Sequence, residues 1–382
     1  MSTVNHSLSI FLPTFKRYNK VCRNLVYLDL LTEDSYSLGL IKDINLSIYD
    51  GTPLSYDNLG YQEVQNLLLK LRRKLDISYL HFPEMLPYHR HQEFLSRCST
   101  EFVMMLGDDD FLIPTYITDL LDLFAGSPGV SAVSGRLLNV RGFDHGKLMI
   151  DDAERPYSGF VLDSAIPEVR ISEFSSLNAV GCSAIAYSIQ RRVNMKAFLD
   201  EVAHIQTDLY GGGLELIHQV ITLLSGSVVF SDHPLLLRDF TYIDYKPALD
   251  RSASSLDPWP YYGESCVDVL MKIIAREGSI FNFGDPQLRE FCLNLMTLPS
   301  SLSASKDRME RLLPRKKISQ EIYSFLEKPL LDSAYEAWRL TYRTCYDKSV
   351  ILGLGNPYPG LMSRLTFVLR RLVARLSLGI FN

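Results

Sequence analysis

A chain of 382 residues is long enough for two domains of about 100–200 residues each and for a substantial buried core. Hydrophobic residues make up 47% and charged residues 22%, which excludes a disordered, collagen-like or coiled-coil chain. A net charge of −5 provides no bulk attraction to nucleic acid, so no nucleic-acid partner is expected. The six cysteines (Cys22, Cys98, Cys182, Cys266, Cys292 and Cys345) form no CxxC pair. That argues against a zinc knuckle or a thioredoxin-like motif and suits reduced cytosolic thiols. Met1–Ser9 lacks the basic and apolar stretches of a secretory signal, and no run reaches the roughly 18 apolar residues of a spanning helix, so a cytoplasmic location is expected.

Along the first 135 residues, strand-like and helix-like segments alternate. Leu8–Leu12 is a short apolar run before Pro13 and predicts a buried strand. Tyr18–Leu31 has the spacing of a helix face, and Ile44–Tyr49 predicts the next strand, closed by Asp50-Gly51. Asn58–Leu75 predicts a long amphipathic helix with a basic end, followed by a strand at Ile77–Leu80 and a helix at Tyr88–Arg97. Phe102–Leu106 predicts a fourth strand, running into Gly107-Asp108-Asp109-Asp110. Pro114–Phe124 predicts a helix with proline at its start, and Val130–Ser134 a fifth strand. The alternation argues for an α/β domain with a largely parallel, Rossmann-like sheet and helices on both faces. In such sheets ligands sit beyond the carboxyl ends of the strands, where Pro13-Thr14, Asp50-Gly51 and the aspartate triplet would meet.

Residues 136–180 are rich in Gly, Asp and Pro and are expected to form loops and short strands, with Ala179–Ser188 strand-like. Leu214–Leu224 predicts a helix after Gly211-Gly212-Gly213, and Val228–Phe230 and Leu235–Leu237 predict two strands around Asp232-His233-Pro234. The expected organisation is an α/β domain over 1–240, a linker over 241–260 containing Pro247, Pro258 and Pro260, and a mainly helical extension over 261–382. In Ser363–Phe381, Leu365, Val368, Leu369, Leu372, Val373 and Leu376 share one helical face, with Arg364, Arg370, Arg371 and Arg375 largely on the other. A cationic amphipathic helix of this kind suits either peripheral contact with an anionic membrane or packing on the catalytic domain.

The strongest chemical signal is the aspartate triplet. Two carboxylates about 4 Å apart repel by roughly 4 kcal/mol at an effective dielectric of 20. A divalent cation reverses that sign, and Mg²⁺ or Mn²⁺ favours one or two carboxylates plus substrate phosphates. The plainer alternative is a solvated acidic turn capping the next helix.

Taken in order, Ser9–Arg17, Ile48–Gly51, Tyr88–Gln92 and Leu106–Asp110 with Pro114 resemble the nucleotide-sugar-dependent glycosyltransferases of the GT-A fold. The resemblance spans about residues 8–240 and is closest to the bacterial family-two-like group, in a divergent branch with a DDD-type motif in place of D-x-D-D. Gly107 stands where that family has its first aspartate. The resemblance implies Asp109 as the main metal ligand, Asp108 contacting ribose or metal, and Asp110 in support. It implies Pro13, Thr14, Arg17 and Asp50 around the nucleotide, with Arg90 either facing the diphosphate or lying on a solvated basic helix. It requires a base some hundred residues beyond the triplet, for which Glu215 and Asp208 are the candidates. His233 would be a third metal ligand or an ordinary turn histidine, and Arg238 a further group for phosphate. The implied reaction is metal-dependent, inverting transfer of a sugar from a nucleoside diphosphate to a hydroxyl of a saccharide or lipid-linked saccharide, in capsule or lipopolysaccharide synthesis. The alternatives are a nucleotidyltransferase of similar architecture, which would normally carry a glycine-rich loop after the first strand, and a non-catalytic sugar-nucleotide-binding protein.

Overall fold

A computed structural model describes residues 7–83, 85, 87–144, 147–151, 161–177, 185–203, 212–239, 259–276, 286–293 and 330–337. Its sheet contains strands β1 (Leu8–Thr14), β2 (Ile44–Asp50), β3 (Ile77–His81), β4 (Phe102–Met105), β5 (Phe111–Leu112), β6 (Val130–Asp144), β7 (Lys147–Asp151), β8 (Val161–Leu162), β9 (Ile189–Arg191) and β10 (Ser227–Asp239). The order is β3-β2-β1-β4-β9-β6-β10-β5, with β7 on β6 and β8 on β10. The β3-β2-β1-β4 block is parallel and so is the long β6–β10 pair, while the short strands β5, β8 and β9 and the strand β7 join antiparallel. This is an α/β fold with a mixed, mostly parallel sheet.

The helices are α1 (Tyr18–Leu31), α2 (Ser35–Ile41), α3 (Asn58–Leu71), α4 (Pro87–Arg97), α5 (Ile117–Ala125), α6 (Pro167–Leu177), α7 (Arg192–Ala203), α8 (Gly212–Ser225) and α9 (Trp259–Arg276). Two apolar clusters form the core. Ile10 and Leu12 of β1 join Val21 and Leu25 of α1 and Val64 and Leu68 of α3 in one cluster. Phe11, one residue out of phase, joins Met195, Ile217 and Leu270 in the other, so α7, α8 and α9 pack around it. A strand buried on both faces needs a continuous apolar run, which is why Leu8–Leu12 carries no polar alternation beyond Ser9.

Several elements differ from the sequence expectation. β1 continues through Pro13 to Thr14, because β4 pairs only with Leu8–Phe11 and leaves Pro13 with β2 alone. The expected helix at Pro114 opens as a 3-10 turn over Pro114–Tyr116 before α5 begins. β6 runs on to Asp144 instead of ending at Ser134, since its polar residues pair with β10 on one side and β7 on the other. The two strands expected around His233 are one strand, β10, which absorbs Pro234 between register shifts on either side. Gly135 lies against that irregularity, where a Cβ would come within 2.6 Å of Leu235 Cβ and 2.7 Å of the His233 carbonyl. In the stretch expected to be strand-like, residues 185–188 form a turn and a bend, and residues 179–184 lie outside those described. The C-terminal amphipathic segment 363–381 lies wholly outside them.

Candidate active site

The parallel block brings the carboxyl ends of β1, β2 and β4 to one edge. Leu106 N–H donates to the Phe11 carbonyl at 2.9 Å, holding the chain beside β1 as it leaves β4. The triplet then turns tightly, with Asp110 N–H bonded to the Gly107 carbonyl at 3.1 Å. Helix α1 fastens this turn from below. Asn24 Nδ2 donates to the Asp108 carbonyl at 2.7 Å, Arg23 to the Asp109 carbonyl at 2.5 Å, and the Tyr27 hydroxyl to the Leu112 carbonyl at 2.7 Å. Lys20, Arg23, Asn24 and Tyr27 are all buried, at helical spacing. The sequence signal that could have pointed to this stripe is a set of polar residues at helical spacing among apolar ones.

The three carboxylates have different surroundings. Asp108 is buried; its Oδ2 accepts from Thr14 Oγ1 at 2.9 Å and its Oδ1 pairs with Arg17 at 2.8 Å. Burial raises its pKa to about 6, against the lowering pull of Arg17 and Thr14. Asp109 also pairs with Arg17 and has the most accessible side chain of the three, 21% exposed. Asp110 is buried with Arg238 Nε 3.8 Å from its Oδ2, and Arg238 in turn lies over the Tyr187 ring. A Cβ added to Gly107 would sit 2.8 Å from Asp110 Oδ2 and 3.2 Å from Asp109 Oδ1. The missing side chain at 107 thus leaves a small cradle onto which two carboxylate oxygens converge.

Among the described residues no group of three His, Cys, Asp or Glu side chains forms a metal cage. The cradle nonetheless fits Mg²⁺ or Mn²⁺, which are commonly held by one or two carboxylates while phosphates and water supply the rest. Asp109 and Asp110 could hold such an ion.

Asp50, at the end of β2, is fully buried. Its Oδ1 accepts from Thr52 N–H at 2.8 Å and its Oδ2 from the Tyr79 hydroxyl at 2.5 Å, and the Tyr18 hydroxyl lies near the same carboxylate. Desolvation and this carboxylate together raise the Tyr18 pKa to about 12. Arg90, buried on α4, donates to the Thr14 carbonyl at 2.5 Å and the Tyr49 carbonyl at 2.9 Å, tying β1 to β2. Its guanidinium lies where a Cβ at Gly51 would be, 2.8 Å from Cζ. Burial pulls its pKa down while Asp50 and Asp108 hold it up. Lys16 has a left-handed φ of 58°, and its N–H donates to Thr52 Oγ1 at 2.7 Å, joining the loops after β1 and β2.

The fold therefore gathers Thr14, Arg17, Asp108, Asp109 and Asp110 directly, with Pro13, Asp50 and Arg90 beside them. His233 is not brought there: it stacks on Tyr116 at 4.6 Å, while the Leu237–Phe111 pair marks the strand end next to the triplet. Glu215 falls in the first turn of α8, with its side chain outside the described residues, and Asp208 is also outside them. Sequence reading missed Arg23, Asn24, Tyr18 and Tyr79, whose partners are far away in the chain.

No family model matches this chain, and no curated protein matches it. Among solved structures it is similar to residues 1–349 of TarS from S. aureus, with a TM-score of 0.48 and 15% identity over 91% of this chain and 92% of that one. The same TarS segment in complex with UDP-GlcNAc gives 0.47 at 14% identity, over 91% and 92%. The mannosyltransferase PcManGT from Pyrobaculum calidifontis, in complex with GDP-Man and Mn²⁺, gives 0.45 at 12% identity, over 88% and 87%.

Proposed function

We propose that this protein is a metal-dependent glycosyltransferase of the GT-A, family-two-like group, moving a sugar from a nucleoside-diphosphate donor to a hydroxyl acceptor with inversion. One observation carries the reading: of the three carboxylates at the carboxyl end of β4, Asp108 and Asp109 meet Thr14 and Arg17 from β1 and its loop, and oxygens of Asp109 and Asp110 converge over Gly107. A bound divalent cation supplies Lewis-acid neutralisation of the leaving diphosphate. Asp109 and Asp110 would hold it, and Asp108, fixed by Thr14, would orient the ribose or the metal. Pro13, Thr14 and Arg17 line the nucleotide side. Asp50 and Arg90 brace the loops that shape it. Glu215, with Asp208 as the alternative, takes the proton of the acceptor hydroxyl as its oxygen attacks the anomeric carbon and the bond to the diphosphate breaks.

The reading extends to the whole chain as a catalytic domain over 1–240, a linker over 241–260 and a helical extension over 261–382 acting in the cytoplasm. The acceptor is a saccharide or lipid-linked saccharide of a bacterial surface polysaccharide, approached through peripheral membrane contact of the C-terminal segment. Among the described residues no helix is long and apolar enough to cross a membrane.

A thermal-shift screen with UDP-, GDP-, CMP- and TDP-linked sugars, each with and without Mn²⁺, tests the donor claim. One donor class should stabilise the protein in a metal-dependent way, by about 2.7 kcal/mol at a hundredfold excess over Kd. If no donor stabilises it, the reading fails. Glu215→Gln should keep donor binding and lose transfer; unchanged turnover removes Glu215 as the base.

A further inference from the structure

Arg17 stands where a cation bound to the triplet would also have to act. Its two terminal nitrogens engage Asp108 Oδ1, at 2.8 Å, and Asp109 Oδ2. The other oxygen of Asp108 is taken by Thr14, and Asp109 Oδ1 faces the cradle over Gly107. The guanidinium therefore neutralises Asp109, one of the two carboxylates that would hold a divalent cation, together with its neighbour Asp108, and two positive groups at that range oppose one another. Asn24 and Arg23 hold the backbone of Asp108 and Asp109, and Thr14 holds the Asp108 carboxylate, independently of Arg17. Arg17, by contrast, has a side chain 40% exposed. A planar guanidinium also matches a phosphate bidentately, so an arriving diphosphate offers Arg17 an alternative anion.

We propose that Arg17 is a displaceable counter-charge that competes with the divalent cation for Asp109 and is drawn off by the donor's diphosphate. Cation and diphosphate then promote one another's binding, each through the arginine the other displaces or attracts. This rests on the reading of the triplet as a metal–diphosphate site and adds an order to it: the cation alone binds weakly, and tightly only with a diphosphate present.

The test is the Mn²⁺ affinity of the full chain without nucleotide, measured by the paramagnetic resonance of unbound Mn²⁺. Arg17→Gln should bind Mn²⁺ at least about fivefold tighter than the parent, a gain within the usual range of coupling between sites. Arg17→Lys, which keeps the charge, should stay near the parent. Adding Asp109→Asn to Arg17→Gln should abolish the gain, placing the ion at the triplet. Inorganic pyrophosphate should tighten Mn²⁺ binding more in the parent than in Arg17→Gln. A structural role alone would weaken metal binding in Arg17→Gln, so equal or weaker Mn²⁺ affinity in that variant overturns the proposal. If Arg17→Gln proves too unstable to assay, Arg17→Met serves the same comparison with the same two outcomes. Mn²⁺ binding to the parent with no gain in the neutral variants sinks only the role of Arg17. No Mn²⁺ binding by any of the proteins, with or without pyrophosphate, sinks the metal reading as well.

Discussion

Position 107 shows how much a single missing Cβ can determine. Any side chain there would press on Asp110 Oδ2 and Asp109 Oδ1, both of which can swing away because they are the ends of side chains. Gly107→Ala should therefore leave the fold intact and displace both carboxylates. We expect Mn²⁺ affinity to fall about tenfold, the scale on which disturbed supporting contacts alter metal sites, as read by the same resonance titration. Asp109→Ala should abolish the metal-dependent part of any donor-induced thermal shift while the melting temperature without ligand changes little, because this is the more exposed carboxylate. The aspartate run itself was plain in the sequence. Its pairing was not: Arg17 and Asp109 are 92 positions apart, and only the alignment of β1 with β4 puts a loop arginine against that run.

Among the elements, α8 depends on a residue from outside it. Buried Arg170 of α6 donates to the Leu223 carbonyl at 2.8 Å, to the Leu224 carbonyl at 3.2 Å and to the Ser164 carbonyl, closing the carboxyl end of α8. Removing it strands these acceptors in a buried setting. Arg170→Met should cost about 3–5 kcal/mol in urea unfolding, well above an ordinary surface substitution. Apart from α2, the helices and strands of the first hundred residues were legible because each is a compact apolar run with its period intact, as in Tyr18–Leu31, which the structure reproduces residue for residue. Legibility failed where polar residues sit inside strands. Arg136 and Asn139 in β6 and Asp232-His233-Pro234 in β10 look like loop and turn, yet parallel pairing between the two strands keeps both extended. α2 was also missed, since seven residues supply too few turns for a periodic signal; Asp34 starts it by accepting from Ser37 N–H at 2.7 Å.

At the scale of the molecule, two histidines tie stability to pH. His91 stacks on Phe11 at 4.3 Å, and His218 bonds Gln190 Oε1 at 2.9 Å and stacks on Phe198. Burial lowers their pKa values to about 3 and about 4. Both are held neutral in the folded protein, whereas the unfolded chain takes up a proton on each near pH 6.5. Lowering the pH from about 6.5 therefore favours the unfolded state, with a slope of about 1.4 kcal/mol per pH unit for each histidine, until the folded pKa is reached. Between pH 7 and pH 5 we expect urea unfolding to show a loss of roughly 2 kcal/mol from each. His91→Phe should remove its share, and an identical pH profile in that variant would refute the assignment.

The bond between Thr14 and Asp108 spans 94 positions, and β1 meets β4 only after β2, β3 and four helices have been made between them. Contacts of such separation form slowly, because loop entropy must be surrendered before they stabilise anything. A nascent chain halted before its hundredth residue could hold β1, β2 and β3 in parallel register and still have nothing with which to greet a substrate. Maturation of ligand recognition during synthesis should thus come abruptly, as β4 slides in next to the first strand.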